Sequence, residues 1–206
     1  MASMPKVELN DLCDLSKLSN QKLLTELIRR IEDRPPWTTP LRPPMEDTPN
    51  RVSRAWQEVF SGYAWDDERI ARMLTQFDEP CNQMVVLRQI EFYSTCEHHW
   101  MQFEGMAHIG YIPQNNKVVG VSKLARLLEV YSRRFQIQER IGQQIVEALN
   151  KYVSPHAACI LVGSHSCMRC RGIGKQHSEM ITSARTGCFT NAEEDSWREF
   201  QTLIAL

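Results

Sequence analysis

Four consecutive residues, Cys96-Glu97-His98-His99, constrain this chain more than any other stretch. They set a thiol, a carboxylate and two imidazoles side by side. A second group of the same chemistry follows far downstream, His165-Ser166-Cys167-Met168-Arg169-Cys170-Arg171. Thiolate and imidazole together are the ligand set that zinc prefers. In an extended strand, residues three apart point to opposite faces, so Cys96 and His99 can share one ion only from a turn. The fold is therefore expected to bring a turn at 96–99 against the 165–171 segment. His98, next to a ligand, is poorly placed to bind the same ion. Its imidazole, titrating close to neutrality, suits proton transfer instead.

Spacing alone leaves two sites open. Cys96, His99, Cys167 and Cys170 could close a structural Cys3His site. Alternatively, three of them hold the ion and leave a position for water, whose pKa then falls toward ~7. The surplus favours the second, because His98, His165 and Arg171 have no task beside a closed knuckle.

The 206 residues, 42% hydrophobic and 24% charged, suffice for an ordinary buried core. A net charge of −1 gives no basic field for nucleic acid. No apolar run reaches the ~18 residues of a membrane span. The first residues lack the apolar core of a signal peptide, so a cytoplasmic location is expected. Seven cysteines, an odd number, argue against a disulfide framework and for reduced thiols. Cys13, Cys81, Cys159 and Cys188 stand apart from metal-type residues and read as small apolar groups.

Periodicity predicts helices at about 19–33, 48–60 and 66–77, the first two joined by a proline-rich connector. The texture changes at Met84. Strands are predicted at 84–93, 101–112 and 117–120, then helices at 123–133, capped by Ser122, and at 136–152. A buried-type strand at 158–162 leads into the second ligand segment, and a last helix is predicted from Glu193. This order gives an α+β protein with an antiparallel sheet, residues 1–83 forming a helical extension and 84–206 the catalytic portion.

The motifs at this point resemble one family. Cys96-Glu-His-His99 resembles the signature of GTP cyclohydrolase I. The likeness continues through Gly105-x-x-His-Ile-Gly-Tyr-Ile-Pro113, Gly120-Val-Ser-Lys-Leu-Ala-Arg126 and Arg133-Arg-Phe-Gln-Ile-Gln-Glu-Arg140. It resumes at His165-x-Cys-Met-x-x-Arg-Gly172, and Glu46-Asp-Thr-Pro-Asn-Arg51 matches an upstream segment. Gln102, where a proline is usual, Trp100, Met101 and the extra thiol of Cys170 depart from the pattern.

The resemblance implies the tunnelling fold: an antiparallel sheet with two helices on one face, after an N-terminal helical extension. It implies a homodecamer of two stacked pentamers with sites between subunits. It implies Cys96, His99 and Cys167 as zinc ligands, Cys170 outside the site, and His98, His165 and Ser122 as catalytic residues. Gln138 and Glu139 would anchor the guanine edge of GTP, while Arg51, Lys123, Arg126 and Arg171 would contact its triphosphate. The implied reaction opens the guanine imidazole ring, releases formate and ends in 7,8-dihydroneopterin triphosphate. The chemistry agrees: a carboxylate can accept from both N1–H and the exocyclic amine of guanine, and arginine forks match phosphate oxygens. On composition alone Arg133, Arg134, Arg140 and Arg169 serve as well, and Gln138 and Glu139 are ordinary helix formers.

Overall fold

A computed structural model describes residues 18–32, 40–191 and 195–206. Cys13 and most of the proline connector lie outside the described residues. The chain falls into two units, Met1–Gln57 and Glu58–Leu206.

In the first unit α1 spans Asn20–Ile31, with Ser19 accepting from the Lys22 amide as its N-cap. Helix α2, Thr48–Val59, begins in this unit with Pro49 in its first turn, where the missing amide costs nothing. The described end of the connector winds into one 3₁₀ turn at Pro43–Met45 instead of staying extended.

The second unit opens with α3, Asp67–Met73, capped by the Asp66 side chain. Its expected last residues form a strand instead: β1, Gln76–Asp78, pairs with β4, Lys117–Val119. The helical spacing that buries Ile70 and Met73 stops at Leu74, and Phe77 is exposed.

The main sheet holds β2 (Val85–Cys96), β3 (Gln102–Tyr111), β5 (Phe135–Gln136), β6 (Ala157–His165) and β7 (Met180–Arg185), in the order β5-β2-β3-β6-β7. All pairings are antiparallel except the short β2–β5 contact. Strand β7 was not foreseen, because Met180–Arg185 mixes polar and apolar residues without clear alternation.

Strand alternation builds two apolar layers. Ala157, Cys159 and Leu161 of β6 face one core, and Ala158 and Ile160 the other. The first core is closed by α4, Val121–Ser132, and α5, Gln138–Tyr152. Leu124, Leu127 and Leu128, with Ile141, Ile145 and Leu149, are fully buried there at helical spacing. Each such side chain contributes ~1.5–3 kcal/mol. The second, smaller core packs Phe189, from the 3₁₀ turn Gly187–Thr190, and Phe200 of α7, Ser196–Ala205, against part of the opposite face. An antiparallel sheet under two helices is the tunnelling-fold layout that the resemblance implies.

Two local departures have plain causes. Helix α4 begins at Val121 with Gly120 as its N-cap, so Ser122 lies in the first turn and caps nothing. Strand β2 bulges between Leu87 and Ile90, where Gln89 takes φ 55°. His108 Nδ1 accepts the Gln89 amide, which gives this histidine a structural task. His156 Nδ1 likewise accepts the Cys188 amide. Full burial pushes the Cys159 thiol up to about 12, in keeping with an inert core cysteine. Among the described residues no helix is long and apolar enough to cross a membrane.

Candidate functional site

Antiparallel register assembles the site at one end of the sheet. Ser94 of β2 pairs with Phe103 of β3, and Phe103 pairs with His165 of β6. The last residue of β2, Cys96, therefore meets the chain just past the end of β6. There α6, the single turn Ser166–Arg169, carries Cys167 back toward the sheet.

The ligand turn follows β2 directly. The Trp100 amide donates to Cys96 O at 2.9 Å, and the Cys96 amide to Met101 O at 2.8 Å. To close this turn Trp100 adopts φ 57°, a left-handed conformation that disfavours a bulky residue by about 1–3 kcal/mol. Its ring rests on Phe135 with centroids 5.5 Å apart. The turn brings Cys96 Sγ to 3.6 Å from His99 Nδ1.

One ligand atom each from Cys96, His99 and Cys167 lie within 4.8 Å of one another. With Zn–S about 2.3 Å and Zn–N about 2.0–2.1 Å, a tetrahedral angle separates sulfur and nitrogen by about 3.6 Å. The Cys96–His99 contact matches that edge. Cys167 is held above the usual thiol range by burial and by the neighbouring Cys96, with Arg171 acting in the opposite sense. Two crowded thiols of this kind are relieved by a shared cation. Cys170 is not part of the group: it is exposed, and its thiol turns to Ser166 O at 2.9 Å.

His98 stays outside the donor set, largely exposed, with Nε2 3.9 Å from Glu97 Oε1. An open cavity of about 550 Å³ is lined by His98, His99, Glu97, Trp100 and Phe135. His165 is held on two sides. Its ring stacks on Phe103 at 4.4 Å with planes 7° apart, and its Nε2 lies 3.0 Å from Gln138 Oε1.

Gln138 is buried, and its Nε2 donates to Leu161 O at 3.1 Å, Met180 O at 2.8 Å and Thr182 Oγ1 at 3.2 Å. Two of these partners are carbonyls, so the atom facing His165 is the amide oxygen. An oxygen there only accepts, so His165 Nε2 carries the proton and Nδ1 is left as the proton acceptor. Burial lowers the His165 pKa, and the Glu139 carboxylate partly offsets this. Glu139 itself is exposed on the first turn of α5.

Gly163 shows how tight this arrangement is, since a Cβ there would overlap Gln138 Oε1. Gly163→Ala is expected to push Gln138 off its partners and unseat His165. It should cost about 1–3 kcal/mol of stability as overpacking. Turnover should fall about 100-fold, as for a misplacement of about 1 Å. Thermal melts and steady-state rates on one preparation check both effects.

The basic residues sort themselves. Arg133 pairs with Glu58 and Glu129, Arg169 with Glu104, and Arg134 bonds Val130 O and Gly62 O. Arg140 pairs with Glu97. Arg126 and Arg171 are exposed and have no ion-pair partner among the described residues. Ser122 and Lys123 lie in the first turn of α4, whose N-terminus has no side-chain cap. Arg51 belongs to the first unit, on α2, and pairs with Asp47 at 2.9 Å.

Three contributors went unread in the sequence. Phe103 is visible only through strand register, and Trp100 only through its backbone angle. Arg140 looked like any surface arginine.

Known proteins resemble this chain over most of its length. A profile of the family described as GTP cyclohydrolase I matches residues 21–205. The "GTP cyclohydrolase 1" of Wolinella succinogenes is 49% identical over 144 residues, 69% of this chain and 76% of that protein. Its namesake in Halalkalibacterium halodurans is 39% identical over 178 residues, 86% and 93% of the two chains. That of Leptospira biflexa is 37% identical over 185 residues, 89% and 97%. With its profile and its relatives matching over most of its length, the chain belongs to the GTP cyclohydrolase I family.

Proposed function

We propose that this protein hydrolytically opens the guanine imidazole ring of GTP in a zinc-dependent reaction, releasing formate and yielding 7,8-dihydroneopterin triphosphate. Its relatives are named "GTP cyclohydrolase 1", which supports the coarser activity, hydrolysis acting on GTP. The observation that carries the reading is a three-donor cluster that leaves Cys170 out and has two further imidazoles beside it.

Cys96, His99 and Cys167 would hold the metal. When bound, the ion supplies a Lewis acid that acidifies water beside the purine. Everything else falls to the chain. Glu139 takes the N1–H and exocyclic amine of guanine, two donors matched by two carboxylate oxygens. Gln138, its amide engaged inside the protein, acts on the base by seating His165. His165 exchanges protons with the ring nitrogen through Nδ1, its burial favouring the neutral imidazole at physiological pH. His98, on the open cavity, and Ser122 serve the later opening and rearrangement of the ribose.

The triphosphate is assigned to Arg126, Lys123 and Arg171, which have no ion-pair partner among the described residues, together with the helix start of α4, which has no side-chain cap. Arg51 joins them in this proposal. Residues 84–206 form the catalytic portion, after the helical extension of 1–83.

Two features support assembly into a homo-oligomer, the implied decamer. Among the described residues the outer edge of β2 from Val85 to Ser94 and that of β7 have no partner strand. Tyr93 and Ile181 are exposed on these strands. A cytosolic location keeps the ligand thiols reduced.

The test is zinc-loaded protein with GTP. Formate and, after oxidation, a fluorescent pterin should appear in equal amounts, and ATP should give neither. Zinc-replete protein that leaves GTP intact, or makes formate without a pterin, would refute the assignment.

A further inference from the structure

We infer that Glu97 and Arg140 form a positioning pair that locks the metal-ligand turn onto the helix presenting the base-recognition residue. The Arg140 guanidinium grips the Glu97 carboxylate with both arms, Nη1 to Oε2 at 2.6 Å and Nη2 to Oε1 at 3.0 Å. Glu97 sits between Cys96 and His99 in the turn. Arg140 follows Glu139 directly on α5.

A second tie runs alongside. The Glu97 amide donates to Gln136 O at 3.1 Å, Cys96 pairs with Gln136 across the β2–β5 contact, and Arg140 Nη1 also reaches Gln136 Oε1 at 3.3 Å. Gln136 is itself fixed by bonds from its Nε2 to Tyr131 O at 2.9 Å and Gln144 Oε1 at 2.7 Å. Turn and helix thus share one rigid bracket.

The bracket does little for stability, because Arg140 is 42% and Glu97 30% exposed and a solvated pair contributes little. Its geometry is specific instead. A planar fork fixes distance and orientation together, which a lysine ammonium cannot do. Held this way, the three donors and the Glu139 carboxylate keep one spacing, the length a bound purine must bridge.

The kinetic arm of this inference rests on the cyclohydrolase reading, and its metal arm does not. Glu97→Gln and Arg140→Lys are the variants, both small changes on a part-exposed pair that should leave the melting temperature near wild type. In competition with a chromophoric chelator, each should weaken zinc binding about 10–100-fold, the usual effect of losing a group that orients a ligand. With zinc saturating, each should lower kcat on GTP about 10–100-fold while KM moves less than about 3-fold, since substrate still binds but lies misaligned. The double variant should be no worse than the weaker single one, because both remove the same bracket.

Zinc affinity unchanged in both single variants would overturn the inference. So would wild-type kcat at full zinc loading, or an Arg140→Lys enzyme equal to wild type, which would reduce the pair to bare charge. Additive losses in the double variant would equally dissolve the pair. If wild-type protein left GTP untouched, the cyclohydrolase reading would fall while the zinc competition still decided the bracket.

Discussion

Cys96→Ser and His99→Ala should each abolish tight zinc binding and lower turnover of GTP by at least about 10³-fold. Removing one donor from a three-donor set leaves an ion with two side chains, too few for zinc at neutral pH. Lewis-acid stabilisation of several kcal/mol goes with it, and about 4 kcal/mol corresponds to three decades in rate. The two variants differ in what else they disturb. Cys96 is buried at 6% exposure, so serine there also hides a hydroxyl among apolar neighbours and should lower the melting temperature. His99 lies in the turn after β2, and its alanine should melt close to wild type in the absence of metal. Zinc content by elemental analysis, read with the rate, separates the two effects.

Cys170→Ser is the control, and it decides between the two sites that spacing left open. Its thiol points at Ser166 O, away from the donor cluster, so the variant should keep its zinc and turn over within about 2-fold of wild type. A closed Cys3His site would instead lose its metal and its fold together. Stripping zinc from wild-type protein with a chelator should abolish turnover, and added zinc should restore it.

The Cys96–His99 turn was legible because its logic is local: Cys-x-x-His is a statement about a few residues, and a turn does bring Sγ and Nδ1 to 3.6 Å. Helices were legible for the same reason, since the stripes of α4 and α5 lie in the sequence itself. Spacing left Cys167 and Cys170 equally open as partners, and only the folded chain groups Cys167 with the Cys96–His99 pair.

What could not be read was whatever depends on register. That Phe103 stacks on His165 follows from one of several possible offsets between β3 and β6, and the sequence does not choose among them. Gln138 illustrates the same limit. Beside Glu139 it looked like a second substrate contact, yet strand β7, unforeseen, supplies two partners for its amide. The β2 bulge hid the purpose of His108, because nothing local announces which amide a bulge will orphan.

Glu139→Gln should lower kcat/KM for GTP by about 10³–10⁵-fold, with zinc binding and melting temperature unchanged. The carboxylate offers two acceptors to the two guanine donors. An amide offers one acceptor and sets its N–H₂ against the other donor, so a hydrogen-bonding site becomes a rejecting one. The fold couples the change to the chemistry through His165, whose pKa the Glu139 carboxylate raises. Glu139 is exposed on the first turn of α5, where a substitution that keeps the side chain's size moves stability by less than about 0.5 kcal/mol. Inosine triphosphate sharpens the measurement, because it keeps N1–H and lacks the exocyclic amine. Wild-type protein should prefer GTP over it strongly, and in the variant that ratio should collapse toward unity as the GTP rate falls to meet the poorer substrate. A variant that lost rate on both nucleotides alike and kept its preference would mean that Glu139 acts on catalysis through His165, and that the base edge is read elsewhere.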